Sequence, residues 1–260
     1  MKGPILDFFD EKGVIDENKY ILHDKVEILQ KYKIDTALFV FTRDLLEEID
    51  NKELLEHFFD FSNASTSYKV YLYAKKYVVA IAPVGAPVAA MLMELLGYMG
   101  IKNFFACGSS GRLAEHIDST GFVLVEKAIR CEGTSYSYEK PDLYSKTDKD
   151  LTKHIENHLK QANISYQKGI TWTTDCFLRE THSEIELRKS QGAVCVEMEC
   201  AAWCSIAKYR NYKFAQLLYF SDSVKKEGWE LYDTIHLSRK AIINFMLDCV
   251  SDFVDKTKDQ

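Results

Sequence analysis

Apolar positions along this chain fall into two alternating kinds of run. Short β-favouring runs at residues 36–41, 101–107, 193–196 and 214–220 lack polar alternation, so they predict strands buried on both faces, and 122–129 and 164–173 predict two further strands. Two further runs, 68–73 and 77–82, flank Ala74-Lys75-Lys76 and predict a hairpin. Between these lie stretches of helical spacing. Residues 24–33 place Val26, Ile28 and Leu29 inward, and 88–99 do the same with Val88, Met91, Leu92, Leu95 and Leu96. Residues 43–61 predict one amphipathic helix with Leu45, Leu46, Ile49, Leu54, Leu55 and Phe58 inward. Further helices are predicted at 148–161, 184–190, 200–210 and, long and amphipathic, 229–254. Residues 1–22 show no period and are expected to wrap the surface. Strands alternating with helices around an antiparallel insertion predict an α/β fold: a single three-layer α/β/α domain around a mixed β-sheet, residues 1–260, with 1–22 as an N-terminal extension.

Composition narrows the function classes. A chain of 260 residues that is 47% hydrophobic and holds four prolines can bury a sizeable core and is not disordered. The net charge of −6 offers no basic face, so neither nucleic acid nor an anionic membrane is an expected partner. Seven scattered cysteines, several in apolar runs, read as buried reduced thiols, and Cys195, Cys200 and Cys204 lack the Cys-x-x-Cys spacing of a metal site. With no signal-like segment and no long uncharged apolar run, the expected location is the cytoplasm.

The chemistry concentrates where strands stop. The run 193–196 ends at Glu197-Met198-Glu199, and 214–220 ends at Ser221-Asp222. On an extended chain Glu197 and Glu199 share a face while Met198 points elsewhere. One such carboxylate is commonly a helix cap. Three of them, all following buried strands, point instead to a site at a strand-end edge. Gly108-Ser109-Ser110-Gly111 also follows a strand and is expected to turn, its N–H groups and the Ser109 hydroxyl suiting an anion or a sugar hydroxyl. It is neither a Walker loop, having no lysine, nor a G-x-G-x-x-G fingerprint. Pro83-Val84-Gly85-Ala86-Pro87 is a second turn.

Val196-Glu197-Met198-Glu199 before a small-residue helix, followed by a strand ending Ser221-Asp222, resembles the signature of the nucleoside phosphorylase and nucleosidase superfamily, and the similarity spans roughly residues 23–250. The resemblance implies a phosphorylase/hydrolase-like fold, no metal and no cofactor beyond phosphate as co-substrate. It also implies a small-molecule nucleoside substrate and a homo-oligomer, a dimer or a trimer of dimers, serving salvage. It assigns Glu199 to the ribose hydroxyls, Met198 to the apolar sugar face, Glu197 to the base and the 2′-hydroxyl, and Gly85 to the border of the ribose pocket. His23 would reach a neighbouring subunit's 5′-hydroxyl. Phe177 would stack on the base, with Arg179 nearby, and Asp222 would protonate the base. Gly108, Ser109, Arg43 and Lys69 would hold phosphate. Thr181-His182-Ser183 stands where pyrimidine-type members carry Gln-x-Arg, so a purine base is expected.

Breaking an N-glycosidic bond builds oxocarbenium character on the sugar and negative charge on the departing base. Carboxylates at the sugar hydroxyls and an acid at the base answer those two needs. The phosphate side departs from the resemblance. Ala106 stands where the family has an arginine, the loop after the first strand shrinks to Phe41-Thr42-Arg43, and Lys69 replaces an arginine and loses its bidentate geometry. The nucleosidase branch uses an extra glutamate to activate water, and Glu11, Glu17 and Glu27 are available outside any matching motif. Three readings follow. The preferred one is phosphorolysis to free base and ribose 1-phosphate, with Arg130 or Arg179 as further phosphate ligands. The others are hydrolysis by water and a non-catalytic nucleoside-binding protein.

Overall fold

The computed structural model describes residues 13–225 and 228–258. Residues 1–12 of the expected extension, with Glu11, lie outside the described residues, and 13–22 are mostly exposed around a 3-10 turn at Glu17–Lys19. The strands are β1 (Thr36–Val40), β2 (Leu55–Ser62), β3 (Ser67–Tyr73), β4 (Tyr77–Ile81), β5 (Asn103–Arg112), β6 (Phe122–Cys131), β7 (Tyr144–Lys146), β8 (Tyr166–Thr174), β9 (Ala193–Glu197), β10 (Lys213–Lys225) and β11 (Gly228–Leu231). The helices are α1 (His23–Tyr32), α2 (Leu45–Glu48), α3 (Ala86–Tyr98), α4 (Lys149–Gln161), α5 (His182–Ser190), α6 (Cys200–Arg210) and α7 (Ile235–Lys258). None of the described helices is long and apolar enough to cross a membrane.

All strands join one mixed sheet in the order β11-β10-β6-β8-β9-β5-β1-β4-β3-β2, with β7 on β6. Because β10 pairs with β5 as well as β6, the strands β5, β10, β6, β8 and β9 close into a ring. One face carries α1, α3 and α6, where Phe39 stacks on Trp203 at 5.1 Å between centroids amid Phe104 and Phe214. The other carries α2, α4 and α7, whose Ile242, Met246 and Val250 cover Leu38, Val40, Phe105 and Leu217. The three-layer α/β/α arrangement is therefore as the sequence predicts, and strands buried on both faces explain why their runs show no alternation.

Three elements differ from the pattern reading. The stretch 43–61 is not one helix. Asp44 caps α2 by accepting from the Leu46 amide at 2.9 Å, and Ile49 is already extended. A 3-10 turn at Lys52–Leu54 then leads into β2. The aromatic-rich Leu55–Ser62 pairs antiparallel with β3, and a bulge between His57 and Phe59 lets neighbouring Phe58 and Phe59 both bury. Spacing of i, i+3 and i+4 alone does not separate that outcome from a helix. Residues 108–111 do not turn either: β5 continues through them to Arg112. Finally, β10 runs past Asp222 and pairs with β11, so the last helix begins at Ile235 rather than Trp229.

Candidate active site

The carboxyl ends of β1, β5, β8, β9 and β10 surround a cavity of about 570 Å³, within the size range of small-molecule sites. Its walls include Phe41, Ser109, Gly111, Phe177, Glu180, Glu197, Met198, Glu199, Gln216, Asp222 and Trp229.

Each wall is shaped by a local feature of the chain. Gly108 and Gly111 are there for close approach, not for a turn. A Cβ on Gly108 would lie 2.7 Å from the Phe41 ring, and one on Gly111 would lie 2.9 Å from Val196 and 3.1 Å from Asp222 Oδ2. The register of β10 against β5 shifts between Phe220 and Asp222, so Ser221 is an extra residue that re-aims Asp222. Asp222 Oδ1 then accepts from the Ser221 hydroxyl at 2.6 Å, and Oδ2 accepts from Trp229 Nε1 on β11 at 2.8 Å.

Glu197 and Glu199 both line the cavity but do not share one strand face. Strand β9 stops at Glu197, and Glu199 sits at the N-cap position of α6. Both oxygens of buried Glu197 are occupied. Oε1 accepts from Thr173 Oγ1 at 2.5 Å and Thr171 Oγ1 at 3.3 Å, while Oε2 accepts from the amides of Glu199 and Cys200 at 2.8 and 2.7 Å. Glu197 thus caps the start of α6 and anchors it to β8. Glu199 is equally buried, yet its one described partner is the Gly85 amide, which donates to Oε1 at 2.5 Å. Gly85 has φ +99° at the head of α3, a conformation that favours glycine and aims this N–H at the carboxylate.

Burial dominates the acidity of this wall. It raises the Glu199 carboxyl to about 8, helped by neighbouring Glu197 and opposed by the Gly85 N–H. Burial likewise raises Glu197, against the pull of its hydroxyl and amide donors. Glu180 is raised to about 7, first by burial and then by the charges of Asp222 and Glu184. Near neutrality the cavity therefore holds carboxyl groups, Glu180 and Glu199, that retain protons an exposed glutamate would have released. None of the described residues lining it is lysine, arginine or histidine.

The expected site residues divide accordingly. Ser109, Phe177, Glu197, Met198, Glu199 and Asp222 meet at the cavity, and Gly85 touches it through Glu199. Gly108 lies beneath the Phe41 ring. His23 at the start of α1, Arg43 after β1 and Lys69 on edge-side β3 are exposed and not part of the wall. Arg179 is exposed too, and its neighbour Glu180 faces the cavity instead. The guanidinium of Arg130 is committed to Ser135 and to the carbonyls of Glu139 and Lys140. Sequence reasoning missed Phe41, Glu180, Gln216 and Trp229. Gln216 alone carried a signal, being a polar residue inside the apolar run 214–220.

A profile of the phosphorylase superfamily matches residues 36–251. Among curated proteins, the chain is 24% identical over 133 residues to a uridine phosphorylase of Haemophilus influenzae, covering 51% of each chain. It is 24% identical over 130 residues to a guanosine phosphorylase of Halorubrum lacusprofundi, covering 50% of this chain and 54% of that one. It is 25% identical over 142 residues to a DeoD-type purine nucleoside phosphorylase of Shewanella oneidensis, covering 54% and 60%. The chain spans about half the length of the curated relatives it matches.

Proposed function

The chain belongs to the phosphorylase superfamily, and from that premise we propose that it is a nucleoside phosphorylase, a pentosyltransferase that cleaves a nucleoside with phosphate to give free base and ribose 1-phosphate. The observation that carries this reading is the meeting of Glu199, Met198, Phe177 and Asp222 around one cavity, although they come from three separate parts of the chain. Glu199, steered by the Gly85 N–H, accepts from ribose hydroxyls, and two such donors would favour its ionised form. Met198 packs on the sugar, and Phe177, exposed at the mouth, stacks on the base. As the glycosidic bond lengthens, the Glu199 carboxylate balances positive charge on the sugar, and Asp222 delivers a proton to the departing base. An acid at the base is what a purine needs, so a purine nucleoside is the preferred substrate. Glu197 acts from behind, fixing Glu199 through its amide.

A specific observation also favours hydrolysis: no cation is among the described residues lining the cavity. Incubating inosine, adenosine and uridine with and without phosphate separates the two. Phosphate-dependent ribose 1-phosphate supports phosphorolysis, whereas free ribose at an equal rate without phosphate sinks it. The reading also includes a homo-oligomer in which His23 serves a neighbour's site.

A further inference from the structure

The chain holds three tryptophans, and they are placed very differently. Trp172 and Trp203 are fully buried, whereas Trp229 is 61% exposed and lines the cavity. It stands on β11, an edge strand that is exposed at every residue and pairs with β10 alone among the described strands. Core packing therefore does not account for a large aromatic at this position. On an exposed edge such a ring is a liability unless something covers it.

Two features fix where the ring lies. Its Nε1 donates to Asp222 Oδ2 at 2.8 Å, so the polar tip of the indole is already satisfied. In the antiparallel register Trp229 stands opposite Val224, which also lines the cavity. What is left uncommitted is the apolar body of the indole. Phe177, 57% exposed, lines the same cavity from the segment that follows β8. Two aromatic rings on one cavity, with a carboxylate beside one of them, suit a ligand that is flat and apolar on its faces and polar at its edge. A heteroaromatic base has that shape. Because the hydrogen bond to Asp222 already anchors the indole, little side-chain freedom is lost when a ligand settles against it.

We propose that Trp229 is a second stacking residue for the base, taking one face of a purine ring while Phe177 takes the other, with Asp222 held at the base's edge by the same indole. This rests on the reading of the cavity as a nucleoside site. Removing one aromatic partner of a stacked base commonly lowers affinity by about five- to 150-fold.

The test follows hypoxanthine binding to the intact chain by calorimetry and by tryptophan emission, in the wild type, Trp229→Phe and Trp229→Ala. Phenylalanine keeps a stacking ring and removes the indole, and alanine removes both. Trp172 and Trp203 remain in all three proteins, and thermal melting confirms folding. Hypoxanthine is expected to change the wild-type emission with the Kd that calorimetry gives. Trp229→Phe should bind it within about threefold of the wild type but without the emission change, and Trp229→Ala should raise the Kd at least about fivefold. A wild type that does not bind hypoxanthine overturns the inference. So does an emission change that persists in Trp229→Phe, or an alanine variant that binds like the wild type or no worse than the phenylalanine one. A ligand-free wild type whose Trp229 emission is shielded from acrylamide would show that a second chain covers the ring, and overturns it too. The product assay judges the nucleoside reading separately. Phosphate-dependent ribose 1-phosphate from inosine, together with wild-type hypoxanthine affinity in Trp229→Ala, would sink the Trp229 assignment alone. Base binding as expected with no nucleoside cleaved would sink the enzymatic reading and leave the stacking site standing.

Discussion

Glu197 and Glu199 are two residues apart, chemically identical and similarly buried, yet their surroundings give them different work. Glu197 has donors on both oxygens from its own chain, while Glu199 has the Gly85 amide and the cavity. The contrast has a pH signature. The folded-state value of Glu199 is about 8, above its ordinary 4.5, so the folded chain holds a proton that the unfolded chain has released between those limits. Stability from this group is therefore greatest below about pH 4.5 and declines until about pH 8. Glu199→Gln removes that decline. Its melting temperature should exceed the wild type's by more at pH 8.5 than at pH 5, while turnover of nucleoside is lost. Equal melting differences at the two pH values would contradict the buried-acid assignment. In the wild type, kcat/KM should rise from pH 6 toward a plateau above about pH 8, because the empty enzyme must ionise Glu199. Asp222→Asn tests the other end of the bond. It should lower kcat/KM for inosine by roughly 100-fold and for uridine by only a few-fold, within the usual range for losing a general acid. Equal losses on both substrates would remove the role at the base.

At the scale of elements, small irregularities aim these side chains. The extra Ser221 turns Asp222 toward the cavity, and β11 then supplies the Trp229 indole N–H to hold it there. Along β5, Gly108 leaves the space that the Phe41 ring fills. Gly108→Ala should destabilise the fold by about 1–3 kcal/mol through overpacking against that ring. Adding Phe41→Leu should recover part of the loss in denaturant unfolding; additive losses would mean that the ring is not what the methyl group meets. Glu197→Ala would leave two hydroxyls and the Glu199 and Cys200 amides without their acceptor. It should cost about 2–4 kcal/mol of stability, whereas Glu197→Gln, which keeps an acceptor, should cost less. The misread stretch 43–61 belongs to this scale as well. Its apolar spacing suits a helix, but the β3 edge supplies a hydrogen-bonding partner that local spacing does not reveal.

For the whole molecule, ring closure matters most. The pairing of β10 with both β5 and β6 brings the carboxyl ends of β5, β8, β9 and β10 around a single space. The mouth of that space is apolar and open: Val84, Phe177, Leu178 and Trp229 line it and are 57–82% exposed. A free surface of this kind is consistent with the oligomeric reading. Light scattering at assay concentration should give at least twice the mass of one chain. A monomeric mass with full activity would show that the site is complete within one copy.

The sequence by itself determined the layered α/β architecture, because strands buried on both faces must be uniformly apolar. It also marked Glu197, Glu199, Asp222 and Ser109 as candidates, because carboxylates and a glycine-flanked hydroxyl stand at the ends of such strands, while Met198 and Phe177 were added by the resemblance. What only the tertiary structure decided was which groups face one another. The charge on Arg43, Lys69, Arg130 and Arg179 was legible, but not that the first two and Arg179 stand outside the cavity and that Arg130 is committed to a loop. Glu180 was invisible as a site residue, and Gln216 stood out only as one polar residue in an apolar run, for the opposite reason. A glutamate in a polar loop and one amide in an apolar strand acquire their meaning from burial beside distant segments, and burial is a property of the folded chain.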